Sequence, residues 1–227
     1  MFIPEKIICV HNGAMGDFLQ IWPTLYSLTK NWPDSSFFWA GKNSYSLWTE
    51  PLGFQTCPPE LCADLSSLYT TATLPDALRD YLIIWFGLLN NPLAARSDNL
   101  WFFQGISHDD ALWTPPLKRY AQALTCKGLS WDTDWRKTWQ RQIASLPLKN
   151  SPNRILIFPG SGHKAKCWPL KRFCGLADRL QAVNNAEVLF VLGPVELERG
   201  LQVKNFEQVA PENFYKLQSL LASCKMA

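Results

Sequence analysis

The chain predicts an α/β protein made of two successive doubly wound units with parallel sheets, the second of them incomplete. Three observations predict this. Short apolar runs alternate with amphipathic helical stretches along almost the whole chain. The first run, Lys6-Ile7-Ile8-Cys9-Val10, is nearly all apolar, as a strand covered on both faces must be. Two of the runs pass directly into glycine turns and then helices, at Gly13-Ala14-Met15-Gly16-Asp17 and at Pro159-Gly160-Ser161-Gly162.

The first unit is expected over residues 1–150. Residues 6–10 form its first strand. A helix over 17–31 follows, with Leu19, Trp22, Leu25, Tyr26 and Leu28 as its apolar stripe. Pro23 lies inside it and is expected to kink or restart it, because proline donates no hydrogen bond. Residues 36–40 are a second strand and 43–48 open a helix. Pro51-Leu52-Gly53-Phe54 reads as a turn. Pro58, Pro59 and Pro75 break the next stretch, leaving a helix near 60–69. Strands are expected at 81–86 and 100–103. A helix over 115–125 points Leu117, Tyr120, Ala121 and Leu124 inward. Residues 130–153 read as a polar, tryptophan-rich join with a helical piece at 133–145.

The second unit is expected over residues 151–227. A strand at 154–158 leads into the second glycine turn. Trp168-Pro169 opens a helix with Phe173, Leu176, Ala177 and Leu180 on one face. A strand at 187–192, a short helix at 195–201, a short strand at 206–209 and a helix at 212–222 follow.

Composition excludes several classes. Hydrophobic residues make up 47% and charged residues 18%, with a formal net charge of +3. That is enough apolar material for a buried core. No basic run or stripe exists, so nucleic acid is not an expected partner. The strongest apolar run, 81–89, is far shorter than the ~20 residues of a membrane span. The seven cysteines are odd in number and form no C-x-x-C pair, and no secretory leader is visible. These features fit a reduced, cytoplasmic protein. His11, His108 and His163 have no ligand spacing with cysteine or carboxylate, so no metal site is expected. The dinucleotide and P-loop glycine patterns are absent.

The turns carry the candidate chemistry. Backbone N–H groups and a helix dipole behind a parallel strand favour anions such as phosphate. Asp17 has two readings: an N-cap whose partner is Gln20, and a general base that takes the proton of an attacking hydroxyl. Lys164 reads as a solvated surface charge. Lys166 is either that or a cation for a diphosphate. Glu196, in Gly193-Pro194-Val195-Glu196, is either a helix-start glutamate or an acceptor for ribose hydroxyls. The two glycine turns are expected to face each other across a cleft.

Together these segments resemble a known family. Gly13-Ala14-Met15-Gly16-Asp17 with Pro23 and Leu28, then Phe158-Pro159-Gly160-Ser161-Gly162 with Lys166, Trp168, Pro169, Leu170 and Phe173, then Val191-Leu192-Gly193-Pro194-Val195-Glu196, occur in the order of glycosyltransferase family 9. These are the ADP-heptose:lipopolysaccharide heptosyltransferases. The resemblance implies a GT-B fold of two Rossmann-like domains. It implies inverting transfer of a sugar, heptose in the family, from a nucleotide diphosphate sugar to a lipopolysaccharide-core or related glycan acceptor. No metal or other cofactor is implied; the nucleotide sugar, ADP-heptose in the family, is a substrate. The acceptor class implies peripheral contact with the inner membrane surface. By the same resemblance Asp17 is the base, and Gly13 and Gly16 position sugar or phosphate. Ser161, Gly162 and Lys166 hold the diphosphate, and Glu196 approaches the ribose.

Two departures accompany the resemblance. His11 stands where many members carry arginine. The family also continues with an Asp-Ser/Thr-Gly-x-x-His turn beyond the last residues of this chain, which predicts a truncated second domain. The alternative expectation is a non-catalytic remnant acting as a binding or interaction module.

Overall fold

The computed structural model describes residues 3–107, 113–144, 153–161 and 164–224. His108, Gly162 and His163 lie outside the described residues. The chain divides into two compact units, Met1–Trp139 and Gln140–Ala227. The sequence reading put this join after residue 150.

The first unit is a five-stranded parallel sheet. Its strands are β1 (Lys6–His11), β2 (Ser36–Gly41), β3 (Phe54–Thr56), β4 (Tyr81–Gly87) and β5 (Leu100–Gln104). Their order is β3-β2-β1-β4-β5, so β1 is central. The chain therefore runs outward from β1 to β3, returns, and continues outward on the other side from β4. Between β1 and β4 the connections diverge, which opens a crevice at the carboxyl ends of those strands.

Helices cover both faces of this sheet. They are α1 (Met15–Asn31), α2 (Ser46–Thr49), α3 (Pro59–Ser67), α4 (Pro116–Cys126) and α5 (Trp135–Ala144). Alternation of side chains along β1 serves the two faces. Ile8 and Val10 join Ile83, Trp85, Leu61, Leu65 and Leu78 on the α3 side. On the other side, Phe18 of α1 packs edge-on to Trp39, and Tyr120 of α4 packs edge-on to Phe86.

Four details depart from the sequence reading. Helix α1 begins two residues earlier, with Ala14 as its N-cap. It runs through Pro23 as one helix, with Pro23 buried among Ile21, Trp22 and Thr24. A proline lacks only its own donor, and burial of the apolar stripe compensates for one missing helical bond. Leu19 is 38% exposed, and Phe18 and Ile21 take the inward positions. Strand β3 is three residues long and pairs only through β2, so its periodicity was too short to separate it from the preceding turn.

The second unit has strands β6 (Arg154–Ile157), β7 (Glu187–Val191) and β8 (Glu207–Val209), parallel and in that order. Its helices are α6 (Leu170–Asn184), α7 (Pro194–Glu198) and α8 (Phe214–Ala222). Helix α6 covers one face, where Ala177, Phe173 and Leu180 meet Val188, Phe190 and Leu192. Helix α8 covers the other, where Leu217 and Leu220 meet Leu156, Leu189 and Val191. Among the described residues no helix is long and apolar enough to cross a membrane.

Candidate functional site

In the first unit the candidate site lies at the crevice between β1 and β4. Strand β1 ends in His11, and three residues then turn the chain into α1. Asp17 stands at the third helical position. Its Oδ2 accepts a hydrogen bond from the Ala14 N–H at 3.3 Å. This is the carboxylate half of a capping box, because Ala14 has no side-chain acceptor to return. Half-buried Asp17 thus braces the turn through one oxygen.

Gly13 is needed by close approach. A methyl group built on it falls 2.6 Å from His11 Cε1, 2.7 Å from His11 Nε2 and 3.2 Å from Asp17 Cβ. The turn backbone is held from outside as well, since the Tyr45 hydroxyl donates to the Gly13 carbonyl at 3.1 Å. Gly16 differs, because a methyl there meets nothing within 4 Å. Its position in the first turn of α1 has no steric demand for glycine.

Three aromatic or imidazole groups border Asp17. Burial, and then the Asp17 charge, raise the Tyr45 and Tyr120 hydroxyls above the ordinary tyrosine range. Both therefore stay protonated as donors. Tyr120 spends its hydrogen on the Gly87 carbonyl at the end of β4, at 3.2 Å. His11 is 2% exposed, and burial lowers its pKa despite the opposing influence of the Phe86 carbonyl and Asp17. It is a neutral imidazole at neutral pH. The sequence reading singled out Asp17 and named His11 only as a departure from the family and Tyr120 only as an inward helix residue; it did not connect these three neighbours, which share no local motif.

The second unit carries its own candidate site behind β6 and β7. An open cavity of about 500 Å³ is lined by Pro159, Gly160, Lys164, Trp168, Glu196 and Arg199 among others. Glu196 repeats the device of Asp17. It stands at the third position of α7, and its Oε2 accepts from the Gly193 N–H at 2.9 Å. The two readings of Glu196 are thus compatible. One oxygen caps the helix, and the other, Oε1, is buried with no hydrogen-bond partner among the described residues. A buried carboxylate oxygen without a donor is costly, so it marks a place where a ligand donor is wanted. Gly160 lies hard against it, since a methyl there would overlap the carboxylate.

Cations stand around this cavity. The Arg199 guanidinium donates to the Ser161 carbonyl at 3.2 Å, which ties α7 to the glycine turn. Lys164 lines the cavity, whereas Lys166, two residues on in the same short turn, is exposed and is not part of the lining. Ser161 is half-buried and offers its carbonyl to Arg199 and to the Cys167 thiol. Arg199 was missed in the sequence, although it follows Glu196 by one helical turn. Among the described residues no cluster of three histidine, cysteine or acidic side chains is spaced to hold a metal.

By sequence, no protein-family model matches the chain, and no curated protein does. By structure it is similar to solved glycosyltransferases. A family 9 glycosyltransferase from Veillonella parvula DSM 2008 matches over 99% of this chain and 74% of its own, with a TM-score of 0.58 and 14% identity. The E. coli heptosyltransferase WaaC, solved with ADP, matches over 97% of this chain and 79% of its own, with a TM-score of 0.61 and 15% identity. E. coli ADP-heptose lps heptosyltransferase II matches over 97% and 78%, with a TM-score of 0.54 and 16% identity. The fold is therefore that of the GT-B heptosyltransferases, with two Rossmann-like units.

Proposed function

We propose that the chain is a glycosyltransferase of heptosyltransferase type. It transfers a sugar, heptose in the preferred reading, from a nucleotide diphosphate sugar to a lipopolysaccharide-core or related glycan acceptor. The observation that carries this reading is the orphaned Oε1 of Glu196 beside two cations in the cavity of the second unit. An acceptor atom that wants a hydroxyl, next to Lys164 and Arg199, suits a ribose joined to a diphosphate. The likeness to WaaC, a structure solved with ADP, supports the same ligand class.

In this reading the acceptor hydroxyl attacks the anomeric carbon of the donor. The bond from that carbon to the diphosphate oxygen breaks as the new glycosidic bond forms, on the opposite face, so the configuration inverts. Asp17 takes the hydroxyl proton. The nucleoside diphosphate leaves with an added negative charge, and Ser161, Gly162, Lys164 and Arg199 are the groups assigned to steady it; Lys166, exposed and outside the cavity lining, is not. Gly13 and Gly16 bring backbone N–H groups of the α1 start toward the sugar or acceptor phosphate. No metal is assigned a step. The glycolipid class of acceptor places the protein at the cytoplasmic face of the inner membrane as a peripheral visitor.

Calorimetry with ADP and ADP-heptose tests the donor half. Micromolar binding that is lost in Glu196→Ala supports the reading. No binding of either by the intact protein overturns it and leaves the non-catalytic module as the better account.

A further inference from the structure

His11 has no role in the reading above, yet its placement is specific. It ends the central strand at the point where the two halves of the sheet diverge. On one side its Nδ1 lies 3.5 Å from the Phe86 carbonyl of β4. The Phe86 and Ala14 backbone both favour a hydrogen on the ring, against the burial that keeps it neutral. Nε2 is buried and has no hydrogen-bond partner among the described residues. It faces the backbone of Gly13, where a methyl group would clash with the ring at 2.7 Å from Nε2 and crowd Asp17 Cβ at 3.2 Å. The imidazole edge and the root of the Asp17 side chain are thus near neighbours, separated only by the glycine.

We infer that His11 is a positioning residue for Asp17 and the second titrating member of that site. Neutral, the ring fills the floor under the Gly13 turn and adds no charge beside the carboxylate, whose Oδ2 accepts from the Ala14 N–H while the group faces a substrate hydroxyl. Protonated, it becomes a cation beside the carboxylate, lowers its basicity and draws it away from substrate. The other charged or titratable groups facing the ring are few. Lys42, beyond the end of β2, opposes its protonation, and Asp17 of α1 favours it. Tyr45 and Tyr120 border Asp17 but remain neutral in the range concerned. The arrangement therefore closes the site on the acid side through protonation of His11. This inference rests on Asp17 being the reactive carboxylate of the proposed transfer.

Two measurements test it separately from that reading. The first needs no activity: NMR titration of the His11 ring in the intact protein and in Asp17→Asn. Coupling predicts that the His11 pKa falls by roughly half a unit when the neighbouring anion is removed. An unchanged pKa overturns the inference whatever the protein catalyses. The second is the pH profile of kcat/KM with ADP-heptose and a lipopolysaccharide-core acceptor. The acid limb is expected to move to lower pH in His11→Gln, with thermal melting confirming that the variant folds. An acid limb that stays in place in a folded His11→Gln also overturns it. Absence of transfer by the unaltered protein counts against the proposed function instead, and the NMR titration then decides the coupling alone.

Discussion

At the scale of single residues, Asp17 and Glu196 show how one side chain serves both fold and chemistry. Each closes a helix start by accepting from the N-cap N–H, and each is assigned a substrate role in the proposed function. Asparagine keeps the capping acceptor, while alanine does not. Asp17→Asn is therefore expected to melt close to the unaltered protein, and Asp17→Ala to lose about 1 kcal/mol. If Asp17 is the base, both lose transfer; a fully active Asp17→Asn would leave it a cap and nothing more. His11 gives a pH dependence of stability whose sign is set by burial. Its folded pKa lies below its unfolded value near 6.5, so the unfolded chain binds the proton first as pH falls. The stability it contributes is complete above that unfolded value and is lost as pH drops toward the folded one. Urea midpoints measured from pH 7.5 downward should therefore fall more steeply for the unaltered protein than for a folded His11→Gln. Gly160→Ala tests the second site. Its methyl has no room beside the Glu196 carboxylate, so ADP affinity should drop at least about tenfold, equivalent to about 1.4 kcal/mol. Unchanged affinity would separate Glu196 from the ligand.

At the scale of elements, the tryptophans make the joint between α1, α2 and α5. Trp22 donates its indole N–H to the Trp48 carbonyl at 2.8 Å. Trp139 stacks on Trp48 with ring centroids 4.6 Å apart and meets Trp22 edge-on at 4.7 Å. These contacts hold the first turns of α5 to the first unit, although α5 contains the boundary between the units. Trp139→Ala removes two aromatic contacts and is expected to cost about 2 kcal/mol, with a large change in tryptophan fluorescence. A variant with unaltered melting and emission would show that α5 is held elsewhere. The glycine-turn helices were legible in the sequence because strand, turn and helix lie within a dozen residues. The start of α1 was misplaced by two residues because Asp17 suits an N-cap by composition. Its actual position follows from where β1 releases the chain. Leu19 was placed inward by periodicity, yet the sheet presents its buried face to Phe18 and Ile21.

At the scale of the whole molecule, the two units are unequal. The first has five strands with helices that bury many large side chains. The second has three strands, α6 buries only Ala177 completely, and α8 buries none of its described side chains below the surface. Smaller units bury a smaller share of their surface and are less stable. Hydrogen exchange should therefore show β1 and β4 protected beyond β6 and β7, and calorimetry should resolve an earlier transition in the second unit. A single cooperative transition with uniform protection would contradict this. Apolar side chains on the surface of the second unit, among them Leu176, Val183 and Tyr215, add to the same expectation.

The sequence by itself determined the α/β class, the alternation of elements, the two glycine turns, and Asp17 and Glu196 as the carboxylates to examine. Local pattern suffices there, because a strand, a tight turn and a helix start are short-range events. Only the tertiary structure decided what surrounds those carboxylates. The order β3-β2-β1-β4-β5 brings Tyr45 and Tyr120 from separate segments to the turn that already holds His11 and Asp17, and sets Phe86 of β4 against His11. The approach of α7 to the second glycine turn sets Arg199 on Ser161 and leaves one oxygen of Glu196 buried without a donor among the described residues. Burial, charge and the lack of a partner are properties of assembled neighbours. No spacing along the chain encodes them until the sheet has chosen which segments meet.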